Sequence, residues 1–298
     1  MVHTVGIVGL TGNVGLPTTK ALIRAADAGT IHLIVFHRAD TDLSILPKAG
    51  SGNVEFRVLS FEDPAEKIGE AVRGVNVFIS AVGFGALPHE ANLVEGLSKS
   101  KDLVTFIPST FSTTWSEADF QDPRLGPVLK FLHGGWDKAK ELGVPVTPVY
   151  TGVFDLYWFQ IGFIGAPLKG NTIWANAKQL QNRFPITTLD HLGAALARIA
   201  CSPPPSIANR PHSVVTFWPT GAELADLYTR IHGSPVAVKD FTPADLEAQM
   251  DDAANFGPAK AGYWARWESG VWGYEGEGVV VDKGYGGPGL EEVARGFA

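Results

Sequence analysis

The chain has 298 residues, 45% of them hydrophobic and 18% charged, a balance that supports a folded core and excludes disorder as the main state. The formal net charge is −7 and there is no run of Lys or Arg, so no basic face for nucleic acid or an anionic membrane is visible. The one cysteine, Cys201, forms no internal disulfide. With no Asn-x-Ser/Thr acceptor and no signal-peptide pattern at Met1-Val-His-Thr-Val, the expected location is cytoplasmic.

The first half alternates between two apolar periods. Val5–Gly9 reads as a strand, and Leu16 to Ala28 has helical spacing, with Pro17 in the tolerated first turn. Ile31–Phe36 is a continuous apolar run, as in a parallel strand buried on both faces. Strand Val54–Leu59, helix Asp63–Val72, strand Val75–Ala81, helix His89–Lys99 and strand Leu103–Ile107 follow. Helix Pro127–Leu142 stops at Gly143, before strand Val144–Tyr150. Strands alternating with helices predict a doubly wound parallel α/β sheet of the Rossmann type.

After residue 150 the alternation weakens. Short strands are expected at Thr172–Trp174, Arg183–Thr187, Ser213–Phe217 and Val279–Val281, and helices at Leu189–Ala200, Thr220–Ile231 and Thr242–Ala254. The division expected is a dinucleotide-binding domain over 1–152 and a smaller substrate region over 153–298, partly interleaved with the sheet. The apolar stretch Val153–Leu168 contains Asp155, Gln160, two glycines and Pro167, so it reads as core or pocket wall and not as a membrane span.

Chemistry begins with Gly9-Leu-Thr11-Gly12-Asn13-Val14-Gly15, placed directly after the first strand and opening the first helix. In that context Gly9 permits a tight turn, Gly12 lets backbone approach a diphosphate, and Gly15 lets helix and strand pack closely. The helix N-terminus adds free N–H groups and partial positive charge. His37-Arg38 ends the second strand, where an acidic residue would hold the free ribose hydroxyls of NAD. Arginine can instead pair with a 2′-phosphate, so Arg38 points to NADP(H); the alternative is a solvated surface arginine. Ser80-Ala81-Val82-Gly83-Phe84 and Pro108-Ser109-Thr110 end the next strands and are expected to line the same cleft. The eight histidines show no metal-ligand spacing, and Gly-x-Ser-x-Gly is absent.

The glycine loop, Arg38, Phe106-Ile-Pro-Ser109-Thr-Phe111 and Gly143-Val-Pro-Val-Thr147 occur in an order that resembles the NmrA-like group of atypical short-chain dehydrogenases. Within it, the isoflavone reductase and phenylcoumaran benzylic ether reductase type is the most similar. Gly152-Val153-Phe154-Asp-Leu-Tyr157 is similar to the stretch of that family that covers the nicotinamide, which implies cofactor contacts at Thr151, Val153 and Phe154. The resemblance further implies a lysine on the helix before Gly143, acting as acid/base or holding the nicotinamide ribose. Lys130 is the best match, two residues off the family spacing, with His133 one turn on as substitute and Ser109 as a hydroxyl facing substrate or ribose. No Tyr-x-x-x-Lys pair occurs anywhere in the chain.

Tyr157, Trp158, Phe159, Trp174, Trp218, Tyr263, Trp264, Trp267, Trp272 and Tyr274 crowd the second half. They fit an aromatic-lined pocket or plain core packing, with Trp264 and Trp267 expected on one helical face over the pocket. The implied function is an NADPH-dependent reductase of a small, aromatic or phenolic molecule. The rivals are a non-catalytic NADP(H)-binding redox sensor and an isomerase that uses the cofactor without net oxidation.

Overall fold

The computed structural model describes residues 2–298. β1 (Thr4–Val8) stands at the centre of a five-stranded parallel sheet whose order is β3-β2-β1-β4-β5. β2 (His32–His37) and β3 (Val54–Val58) lie on one side of it, β4 (Val77–Ser80) and β5 (Thr105–Ile107) on the other. Val5, Ile7, Val35, Phe36, Phe78 and Ile79 are fully buried, as expected where helices cover both faces of a parallel sheet. β3 is the edge, and the ion pair of Glu55 and Arg57 at 2.6 Å makes that rim charged rather than adhesive.

Beyond β5 the sheet continues without a regular strand. Phe106 bridges Val146 in parallel, although Val144–Tyr150 was expected to be a strand throughout. Pro145 and Pro148 remove backbone donors, so only Val149–Thr151 (β6) is regular. β6 then pairs with β10 (His212–Val214), and β10 with β12 (Val280–Val281), all parallel.

The helices α1 (Gly15–Asp27), α2 (Ala65–Ala71), α3 (Glu90–Leu97), α4 (Glu117–Gln121) and α5 (Leu125–Glu141) belong to the first half. α7 (Leu189–Cys201), from the second half, packs on α1, and its Leu192 and Leu196 share a core with Val5, Ile7 and Leu22. The later segments therefore return to the sheet rather than forming a separate body.

The rest builds a second, aromatic core. β7 (Val153–Phe154) pairs with β9 (Ile186–Thr187), and β8 (Thr172–Trp174) with β11 (Ala237–Lys239). Around them lie α6 (Ala177–Gln181), α9 (Gly221–His232), α10 (Pro243–Asp251), α11 (Gly257–Ser269) and α12 (Leu290–Arg295), whereas α8 (Pro204–Ile207) packs on α7 and β5, its Ile207 in the first core. Trp158, Phe184 and Trp267 are fully buried and meet with centroids 4.4–5.7 Å apart. Each such side chain removes roughly 150–250 Å² from water, the dominant stabilising term in this half.

α11 lies outside the helices expected from sequence. Its Gly257-Pro258 start favours a turn, and its apolar residues follow the 3.6-residue period too weakly to mark one face. Trp264 and Trp267 do not cover a pocket; Trp264 stacks on Phe241 at 3.7 Å, and both indoles are core. The glycine-rich tail is tied down where Asp282 lies 2.9 Å from His191 Nε2 and 2.7 Å from Arg198 Nη2. No helix among the described residues is long and apolar enough to cross a membrane.

Candidate functional site

The glycine loop turns on Gly9, whose φ of +93° suits glycine. Gly12 N donates to Gly9 O at 2.9 Å, closing the turn. A Cβ on Gly15 would stand 1.9 Å from Gly9 O, so strand and helix touch backbone to backbone there. At Gly12 a Cβ would meet only Ala81 O and Gly9 O, both at 3.3 Å. No side chain caps α1, whose N-cap is Val14, and the first turn is left open as a cradle for an anionic group.

That cradle forms one wall of a cavity of about 630 Å³, at the carboxyl ends of β1, β4 and β5. β1 and α1 contribute Gly12, Asn13 and Val14, and the β4 exit contributes Ala81, Val82, Gly83 and Phe84. The β5 exit adds Ser109, Thr110, Phe111 and Ser112, and β7 with its approach adds Gly152, Val153 and Phe154. This is the crevice that a doubly wound sheet opens where strand order reverses.

Beneath it lies a buried carboxyl. Glu90, at the start of α3, is fully buried, and its Oε1 accepts the Ser109 N–H at 3.0 Å. Burial pushes its pKa up, opposed by the nearby Ser80 hydroxyl and the Ser109 N–H. Its second oxygen has no protein partner and fills the space a Cβ on Gly135 of α5 would take. Ser109 Oγ donates to Val82 O at 2.8 Å, which ties the two strand exits together.

Of the remaining residues expected at the cofactor, Gly15, Ser80 and Pro108 are buried in the frame behind the wall, Gly9 is half-buried, and Thr11 is exposed at the loop tip. Thr151 is buried, and its carbonyl accepts the Tyr274 hydroxyl at 2.6 Å. His37 and Arg38 lie off the cavity at the end of β2. The Arg38 guanidinium is exposed and 3.4 Å from the equally exposed Asp40, a weak pairing that leaves it accessible.

The catalytic candidates divide. Ser109 is on the wall, but Lys130 is exposed and off it. On α5 the inward face runs through Leu129, Leu132 and His133, and it is Leu132 that reaches the cavity. His133 is buried off the cavity between Phe120 and Trp136, its ring centroid 5.1 and 5.2 Å from theirs. Burial, reinforced by Lys140, lowers its pKa to about 4, so it is a neutral core imidazole at pH 7.

The rest of the wall comes from the second half. Tyr157, Ile161 and Phe163 contribute from the turn after β7, and Phe256, Ala259, Lys260 and Tyr263 from the start of α11. Of these, only Tyr157 and Tyr263 were among the ten aromatics noted in the sequence, and the other eight of that set do not line the cavity. The Tyr263 hydroxyl accepts the Thr113 N–H at 3.2 Å, and burial pushes its pKa up to about 12. Phe256 enters α11 at φ +56°, unusual for a bulky residue, with its ring 4.9 Å from that of Phe84 across the cavity.

No family model and no curated protein matches the sequence. Solved structures do. An isoflavone reductase superposes with a TM-score of 0.73 at 14% identity, over 94% of this chain and 93% of that one. A leucoanthocyanidin reductase from Vitis vinifera, in a ternary complex, gives 0.71 at 14% identity over 93% and 92%. AtPrR2, solved with NADP+ and (+)-pinoresinol, gives 0.66 at 17% identity over 90% and 87%. The protein has the doubly wound α/β fold of these reductases over 90–94% of its length. At such identities the likeness defines the fold and leaves the chemistry to the site.

Proposed function

We propose that this chain is an NADPH-dependent reductase of a small aromatic molecule. One observation carries the reading: the open glycine cradle and an aromatic chamber are walls of the same cavity. Asn13 and Val14 would hold the diphosphate on backbone N–H groups, with the bare Cα of Gly12 clearing its approach, and Arg38 would neutralise the 2′-phosphate. Val82, Gly83, Ser109, Thr110, Val153 and Phe154 would border the rest of the dinucleotide. When bound, NADPH supplies a hydride. Phe163, Phe256 and Tyr263 then pack the substrate ring and exclude water around it. The partition into a binding domain over 1–152 and a substrate region over 153–298 is part of this reading, as is a cytoplasmic setting. The reductases of like fold, one of them solved with NADP+ and (+)-pinoresinol, support it.

The sensor reading is favoured by one fact: α5 presents Leu132, not Lys130, to the cavity. NADPH binding by calorimetry, followed by cofactor consumption against phenolic ketones, enones and benzylic ethers, separates the two. Turnover on any of these supports the reductase, whereas tight binding with no turnover supports the sensor. No binding of either pyridine nucleotide by folded protein refutes both. Lys130→Ala belongs in the same panel, and unchanged turnover would remove Lys130 from the chemistry.

A further inference from the structure

The cavity wall holds a single formal charge. Asn13, Ser109, Ser112 and Asn255 are neutral polar, and no carboxylate, histidine or arginine lines it. The exception is Lys260, in the first turn of α11, half-buried with its Nζ 5.5 Å from the centre of the Phe163 ring. Neighbouring cations are matched: Arg266 pairs with Asp119 at 2.7 Å and Arg124 with Glu247 at 2.8 Å. Among the described residues Lys260 has no carboxylate partner. The face of Phe163 stabilises its ammonium weakly and leaves its N–H donors free for a ligand.

An uncompensated cation on an apolar wall selects for charge. Bringing a neutral ring into the cavity strips water from the ammonium and returns nothing, whereas an anionic oxygen replaces that water with a charge-assisted hydrogen bond. We propose that Lys260 is the recognition cation of the cavity. The substrate class it selects is an aromatic molecule bearing an anionic oxygen, a carboxylate or a phenolate, with the ring among Phe163, Phe256 and Tyr263. This rests on the cavity being the substrate site, the reading given above. The role is one of recognition: Lys260 holds the substrate and sets which molecules bind.

The test is calorimetry on NADPH-saturated full-length protein with two matched pairs of probes. These are trans-cinnamate against methyl cinnamate, and para-nitrophenolate against para-nitroanisole. In the parent each anion is expected to bind roughly tenfold tighter than its neutral partner. Lys260→Met abolishes that preference without weakening the neutral probe, and Lys260→Arg retains most of it. Preference within only one pair identifies the carboxylate or the phenolate as the source. Equal affinities within both pairs in the parent, an unchanged preference in Lys260→Met, or no binding of any probe overturns the proposal. NADPH affinity, measured first, keeps the two readings apart. Its absence sinks the reductase assignment, whereas normal NADPH binding without anion preference sinks only the role of Lys260.

Discussion

Gly12→Ala is expected to separate folding from cofactor binding. The added methyl meets Ala81 O and Gly9 O at 3.3 Å, so neighbours shift by only tenths of an ångström. The cost to stability stays below about 1 kcal/mol, a change of roughly 2–4 °C in Tm. The same methyl occupies the space through which a diphosphate reaches the backbone N–H groups at the head of α1. Losing one hydrogen bond to a charged group costs about 1.5–3 kcal/mol, or roughly 10- to 150-fold in Kd. Gly15→Ala is the control with the opposite profile, because its methyl would stand 1.9 Å from Gly9 O and must displace the strand. Its Tm should fall by more than that of Gly12→Ala. NADPH titration calorimetry beside thermal melts reads both quantities. A folded Gly12→Ala protein that binds NADPH as tightly as the parent would refute the cradle.

Other perturbations test the charged and buried groups of the fold. Arg38→Ala should weaken NADPH binding about tenfold or more while leaving NADH unchanged, and equal NADPH affinity in both proteins would remove Arg38 from the site. His133 has its pKa lowered from 6.5 to about 4, so stability present above pH 6.5 drains away as pH falls toward 4. That fall corresponds to about 3 kcal/mol, and acid melts of His133→Phe should lack it. Glu90 has the opposite sign: its raised pKa means stability is lost as pH climbs above the ordinary 4.5, and Glu90→Gln should flatten that slope in denaturant titrations. Asp282 is held well below the carboxylate range by His191, Arg198 and the Gly284 N–H against the opposing effect of burial. Its contribution is therefore lost only as pH falls below about 4, and Asp282→Asn should lower Tm at pH 7 by an amount that shrinks in acid.

The first half was legible because each of its signals is local. Apolar runs, the glycine loop and the strand–helix alternation placed β1 to β5 and the helices α1, α2, α3 and α5 to within a few residues, and residues at the ends of β4 and β5 do line the cavity. The short α4, with no buried residue to give it an apolar period, was not expected, and Val144–Tyr150 is fragmented by two prolines whose sheet contacts depend on a partner strand. The second half was legible as elements but not as a wall. Aromatic density said that rings must be buried, yet core and pocket offer an indole the same apolar contact, so Trp264 and Trp267 were assigned to the wrong one. Lys260 carries no sequence signal. It becomes conspicuous only once α11 is folded against α5 and every other wall residue proves to be uncharged. Lys130 stands off the cavity by rotation: on a helix, the two residues that separate it from Leu132 amount to some 200°, enough to exchange the interior for solvent.

The cavity draws its boundary from Gly12 near one end of the chain and from Tyr263 near the other. On a ribosome, the chamber stays open-sided until α11 has left the exit tunnel, and α1 itself is uncovered until α7 has packed on it. Chains truncated before α11 should therefore lack the closed cavity.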